Sequence, residues 1–138
     1  MPADPLRDAQ GKVISHDHVD IRDEHHVIRH TTPNDLHPHE KRLASGAFSE
    51  STGGGMSVDI EEWMVADGLD ALHYVTDPSH GAVRISVGEL RRLGFKVGWD
   101  PDGHHPHHAA VWGIGNGSSR RRKVKALAVT IRKAIGEV

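Results

Sequence analysis

Ala82-Val-Arg-Ile-Ser-Val-Gly-Glu-Leu-Arg-Arg-Leu-Gly-Phe-Lys-Val-Gly-Trp99 is the stretch that decides the fold. Val83, Ile85 and Val87 recur every second residue, the period of a strand buried on one face. Ser86 and Glu89 stand at capping-box spacing, so a short helix opens there with Leu90 and Leu93 turned inward. Gly94 closes it, because the residue past a helix end adopts a left-handed conformation that glycine tolerates. Phe95, Val97 and Trp99 then share one face of a second strand. The unit reads strand, helix, strand.

Downstream, Asp100-Pro-Asp-Gly103 is a strong turn signal. His108 to Ile114 reads as a strand apolar on both faces, hence central in its sheet. Ser119 to Val138 is expected to be an amphipathic helix, since Val124, Leu127, Ala128, Ile131, Ala134 and Ile135 fall at helical spacing. Upstream, His25 to His30 and Met56 to Ile60 read as short strands. A helix through Trp63 and Met64 is expected to start at a cap on Asp59, with Glu62 three residues on, and to stop near Gly68. Pro33 suits a helix start and Asp70 to Tyr74 a further helical turn, while Ser49 to Gly55 reads as a flexible loop. The sum is an α+β fold: a small mixed or antiparallel sheet with two to three helices packed on it and a C-terminal amphipathic helix. Residues 1–24 read as a flexible or extended N-terminal arm and 25–138 as a single domain.

Composition narrows the chemistry. The chain has 138 residues and no cysteine, which removes disulfides, thiol catalysis and zinc-thiolate sites. No apolar run approaches the ~20 residues of a membrane-spanning helix, and the polar N-terminus lacks a secretory h-region, so a soluble cytoplasmic protein with no membrane partner is expected. Net charge is -2 with its 13 histidines neutral, so the surface potential swings strongly as they titrate. Nothing in the sequence names a cofactor.

Four groups of residues are candidates for function. The first is the glycine-rich loop Gly113-Ile-Gly115-Asn-Gly117-Ser118 followed by Arg120, Arg121, Arg122 and Lys123. Glycines let backbone amides approach an anion, and cations at a helix start oppose the helix dipole, so a bound phosphate would account for them. The second is the histidine run His104, His105, His107 and His108. His108 is the member expected to be partly buried and to act as acid or base, with His104 and His105 exposed. The third is His16-Asp-His18-Val-Asp20, whose ligand types would share one side of a strand; His107 joins them as a metal-ligand candidate. This element resembles the His-x-His-x-Asp motif of metallo-β-lactamase-like hydrolases over five residues, with Ile21 where that family has a histidine. The fourth is Arg29 and His30 with Ser45, Ser57 and Asp59, where an arginine in an apolar strand calls for a carboxylate or a ligand phosphate, Asp59 being the carboxylate at hand.

Three functions follow as expectations. The leading one is a domain that binds, and in its fuller form processes, a phosphate-bearing ligand such as a nucleotide or RNA. The glycine loop and basic helix start would hold the phosphate, with His108, Arg29 and Asp59 as the catalytic set. The alternatives are a non-enzymatic interaction protein (an accessory, immunity or antitoxin-like factor) docking a protein partner, and a metal-dependent hydrolase built on the histidine cluster.

Overall fold

The computed structural model describes residues 2–138. Six strands form one antiparallel sheet: β1 (His26–Thr31), β2 (Met56–Ile60), β3 (Gly81–Ser86), β4 (Lys96–Trp99), β5 (His108–Trp112) and β6 (Val129–Arg132), in the spatial order β4-β5-β2-β1-β3-β6. Three helices complete an α+β fold: α1 (Glu61–Ala66), α2 (Val87–Arg92) and α3 (Ser118–Leu127). Among the described residues, no helix is long and apolar enough to cross a membrane.

The strand-helix-strand unit forms as its sequence dictates. The Ser86 side chain accepts the Glu89 amide at 3.2 Å and so caps α2, and Gly94 closes it at φ +91°. The Glu89 carboxylate turns outward to Arg92 rather than back to the cap, and Leu93 stays 39% exposed instead of packing inward. β5 lies between β4 and β2, the interior position that an all-apolar strand requires.

One face of the sheet carries Val27, Val58, Ile60, Val83, Ile85, Val97, Ala109 and Val111, which pack with Phe48, Leu90, Phe95 and Val124 into the main core. Period-two alternation sends Ile28, Asp59, Ala82 and His108 to the other face, where Ile28, Ala82 and Val75 form a small apolar cluster. The candidate chemistry sits on that second, thinly covered face.

Three local expectations fail for physical reasons. The last helix stops at Leu127, and Val129 to Arg132 pairs with β3 as an edge strand. Val129, Thr130 and Ile131 are β-branched, and an open strand edge outcompetes a helical turn with one weakly apolar side. α1 is capped by the backbone of Ile60, not by the side chain of Asp59. The carboxylate of Asp59 belongs to a strand residue facing away from that helix start. Pro33 does open a helical segment, a 3-10 turn over Pro33–Asp35, and Ser45–Phe48 forms another; Asp70 to Tyr74, by contrast, stays a turn held by Asp70 Oδ1 accepting the Leu72 amide at 2.8 Å.

Candidate acid–base site

Antiparallel pairing of β2 with β5 puts Asp59 directly opposite His108, both on the thinly covered face. On the far side of His108, the Asp100 amide donates to the His108 carbonyl, and His108 Nδ1 donates to the Asp100 carbonyl at 2.7 Å. That second bond fixes the tautomer: the proton sits on Nδ1, and Nε2 keeps a lone pair that can act as a base. The turn before β5 supplies two further imidazoles. Asp102 Oδ1 accepts the His104 amide at 3.0 Å, which tightens the turn and carries His105 back over the sheet.

His105 is only half-exposed, contrary to its position in a turn. Its Nε2 lies 2.5 Å from Asp59 Oδ1. Both atoms are buried, so each has the other as its polar neighbour. The His105 ring also stacks on Tyr74, with centroids 3.8 Å apart, and meets His108 edge-on at 5.4 Å. Burial pushes the Asp59 carboxyl above the usual carboxylate range, while His105, His108 and His107 pull it back only in part.

His107 forms a second relay beside the first. It is 5% exposed; Nε2 donates to Asp67 Oδ2 at 2.6 Å, and Nδ1 accepts the Tyr74 hydroxyl at 2.7 Å. A carboxylate orienting an imidazole that accepts from a hydroxyl is the arrangement that readies a hydroxyl for proton loss. Burial first, then Asp59, Asp67 and Asp102, holds the Tyr74 phenol above its ordinary range, so the hydroxyl stays protonated and serves as a donor to His107. Tyr74 is the chain's one tyrosine, and Asp67 ends a short helix. Neither carried a motif, and His105 carried the wrong expectation.

Of the three expected catalytic residues, the structure brings together His108 and Asp59 and separates Arg29. Arg29 shares the parity of Val27, the opposite face. There its Nε donates to the Ala47 carbonyl at 3.0 Å and Nη1 to the Ser57 carbonyl at 2.8 Å. Its lining carbonyls replace the expected carboxylate, and burial lowers its basicity, with Asp35 opposing. Arg29→Met should lower stability by about 1–3 kcal/mol, the cost of stranding two carbonyls. An unchanged urea midpoint would show that these ties hold nothing.

The glycine loop stands at the other end of β5, about 17 Å from His108 at the rise of an extended strand. Gly113 and Gly115 have φ +109° and +62°. The amides of Gly113 and Ile114 both donate to Glu50 Oε1, at 2.8 and 3.1 Å. An internal carboxylate thus occupies the amides expected to meet a phosphate. Gly117 caps α3, Ser118 opens it, and Arg120 Nη1 donates back to the Gly113 carbonyl at 3.0 Å. Arg121 is half-buried with Nε unpartnered, whereas Arg120, Arg122, Lys123 and Lys125 are exposed on a helix whose first turn holds no acid. A cavity of about 670 Å³ lies between this loop and the residues around Lys12.

The metal-ligand candidates do not converge. Residues 14–20 are not a strand, so His16, His18 and Asp20 do not share a side. His16 Nδ1 donates to the Ile14 carbonyl at 2.8 Å and its Nε2 accepts the Trp99 amide at 3.2 Å. His18 Nε2 donates to the Ala3 carbonyl at 2.7 Å and its Nδ1 accepts the Asp20 amide at 3.1 Å. Asp20 Oδ2 accepts the Ala3 amide at 2.9 Å. Both rings are buried: His16 fastens the N-terminal segment to β4, His18 ties Ala3 to Asp20 within that segment, and both nitrogens of His107 are likewise engaged. Among the described residues, only His26, Glu61 and Glu62 gather at metal-ligand spacing. There Arg84 already neutralises Glu61 through bonds of 2.7 and 2.6 Å, and His26 is bonded to Glu62.

No family model matches the chain, and no curated protein or solved structure does either.

Proposed function

We propose that the protein binds a phosphate-bearing chain, single-stranded RNA being the fitting substrate, and moves protons on it at the Asp59–His105–His108 cluster. The observation that carries this reading is the 2.5 Å contact between Asp59 Oδ1 and His105 Nε2, a buried carboxyl group held against one imidazole and opposite a second, His108. A titratable group shifted by burial beside specific charge partners is a mark of functional sites.

RNA cleavage by its own 2′-hydroxyl needs one group to take the hydroxyl proton and another to hand a proton to the departing 5′-oxygen. His108 Nε2, with its lone pair fixed by Asp100, suits the first role. His105, beside a carboxylate whose burial favours holding a proton, suits the second. The exposed cations of α3 supply affinity for further phosphates. A single phosphate cannot bridge the ~17 Å between the two ends of β5, which favours a chain over a mononucleotide.

The test is binding and cleavage of a fluorescent single-stranded RNA. Arg120→Glu with Lys123→Glu, both exposed, should weaken binding about tenfold or more and flatten its salt dependence. His108→Ala should retain binding and lose cleavage by about a hundredfold or more. Binding indifferent to the charge reversal, or cleavage surviving His108→Ala, would sink the reading.

One observation favours the interaction-protein alternative: Glu50 closes the glycine loop from within, leaving the basic surface of α3 as a docking face for an acidic protein. RNA binding without any turnover, together with acidic-peptide binding to α3, would move the assignment there.

A further inference from the structure

Behind His107 the molecule has a cavity of about 530 Å³ with an unusual wall. Trp63 from α1 and Trp99 from the end of β4 both line it, with centroids 5.8 Å apart and planes at 78°. His18 stands edge-on to each, at 84° to Trp63 and 83° to Trp99. Three rings therefore meet as mutually near-perpendicular plates. They are held there: Trp99 Nε1 donates to the Pro106 carbonyl at 2.8 Å, and both His18 nitrogens are bonded to backbone.

Asp20 and Asp67 line the cavity, and among the described residues no lysine or arginine does. Each carboxylate uses only one oxygen in the bonds described, Asp20 on the Ala3 amide and Asp67 on His107. Indole faces are negative and attract cations, most strongly where water is scarce. A primary ammonium sheds a tight hydration shell on entry, whereas a methylated one is larger, more weakly hydrated and matched to perpendicular aromatic walls.

We propose that this cavity is a binding site for a quaternary or methylated ammonium group. The site borders the acid–base cluster through Asp67 and His107 but stands on different observations, and it is read by binding alone, so failure of the RNA reading leaves it untouched.

The full chain is titrated with choline and, separately, with its neutral isostere 3,3-dimethylbutan-1-ol, following tryptophan fluorescence and calorimetry. Choline should bind about threefold or more tightly than the isostere, the discrimination expected of a solvent-open cation–π site. Trp99→Leu and Asp67→Asn should each weaken choline binding by about fivefold or more. Because Trp63 also packs on the core, Trp63→Phe, which keeps an aromatic face, serves as a milder variant and should retain part of the affinity. Equal binding of the isostere, choline binding unaffected by Trp99→Leu in a folded variant, or no saturable choline binding overturns the proposal.

Discussion

Gly81→Ala should cost about 3 kcal/mol or more and release β6 from the sheet. A Cβ at Gly81 would collide with the Arg132 carbonyl oxygen, the Lys133 carbonyl carbon and the Ala134 amide, all backbone atoms of the neighbouring edge. No side-chain rotation relieves such a clash. Nor can β3 shift away, because Gly81 is paired on its other side with Thr31 of β1. The strands must part, and the weaker junction is the one that yields: β6 is four residues long, and its pairing with β3 is already irregular between Ala82 and Val83. Domains of this kind hold about 5–15 kcal/mol in all, so the loss is a large share. Hydrogen exchange should show Val129 to Arg132 unprotected in the variant, with β2 and β5 still protected. Gly98→Ala is the informative contrast. There the added methyl would meet ring atoms of Trp112 at 2.6 Å and His16 at 2.7 Å, side chains and not backbone; the His16 ring is tied at both nitrogens, so Trp112 is the one that must yield. Its cost should be smaller, and a Gly81→Ala midpoint equal to that of Gly98→Ala would show that the edge is softer than its geometry implies.

Asp59→Asn should stabilise the protein at neutral pH while removing its acid–base chemistry. Burial raises the Asp59 carboxyl above its ordinary value, outweighing the imidazoles around it. The folded state therefore holds that proton more tightly than the unfolded chain does. The resulting contribution to stability is complete below the unfolded value, ~3.9, and is lost as pH rises through the higher folded value. Above that point the buried carboxylate must carry its charge at a desolvation cost that the imidazoles offset only in part and that asparagine avoids. The variant's advantage should accordingly be present at pH 7.5 and vanish in acid. Glu61 titrates with the opposite sign. Its hydrogen bonds to Arg84 hold it below the usual carboxylate range, so its contribution is present above the unfolded value and fades as pH falls. Urea midpoints across pH separate the two. A variant less stable than the parent at neutral pH would mean that Asp59 is a structural ion-pair partner and not a strained functional group.

The strands were legible where alternation and punctuation agreed. From Val83 to Trp99, the serine cap, the closing glycine and the two apolar alternations each act within a few residues, and the structure follows them. The segment Val129 to Arg132 was not legible, because its apolar spacing suits a helix and its fate depends on a vacant edge supplied by a strand far upstream. The site divides along the same line. His108 and Asp59 were visible as residue types in strands, but their juxtaposition depends on the β2–β5 register, which no local pattern specifies. Arg29 was visible too, and its parity with Val27 already committed it to the core face. Tyr74 and Asp67 come from two irregular segments, where periodicity has nothing to say.

That register also governs when the chemistry can first exist. β2 is synthesised well before β5, and the pairing of Asp59 with His108 closes a long loop that costs chain entropy before it returns any contact energy. A nascent or partly unfolded chain therefore carries every imidazole and carboxylate of the site yet assembles none of it. The cluster therefore exists only once the sheet is complete, and any property that depends on it is gained and lost with the fold.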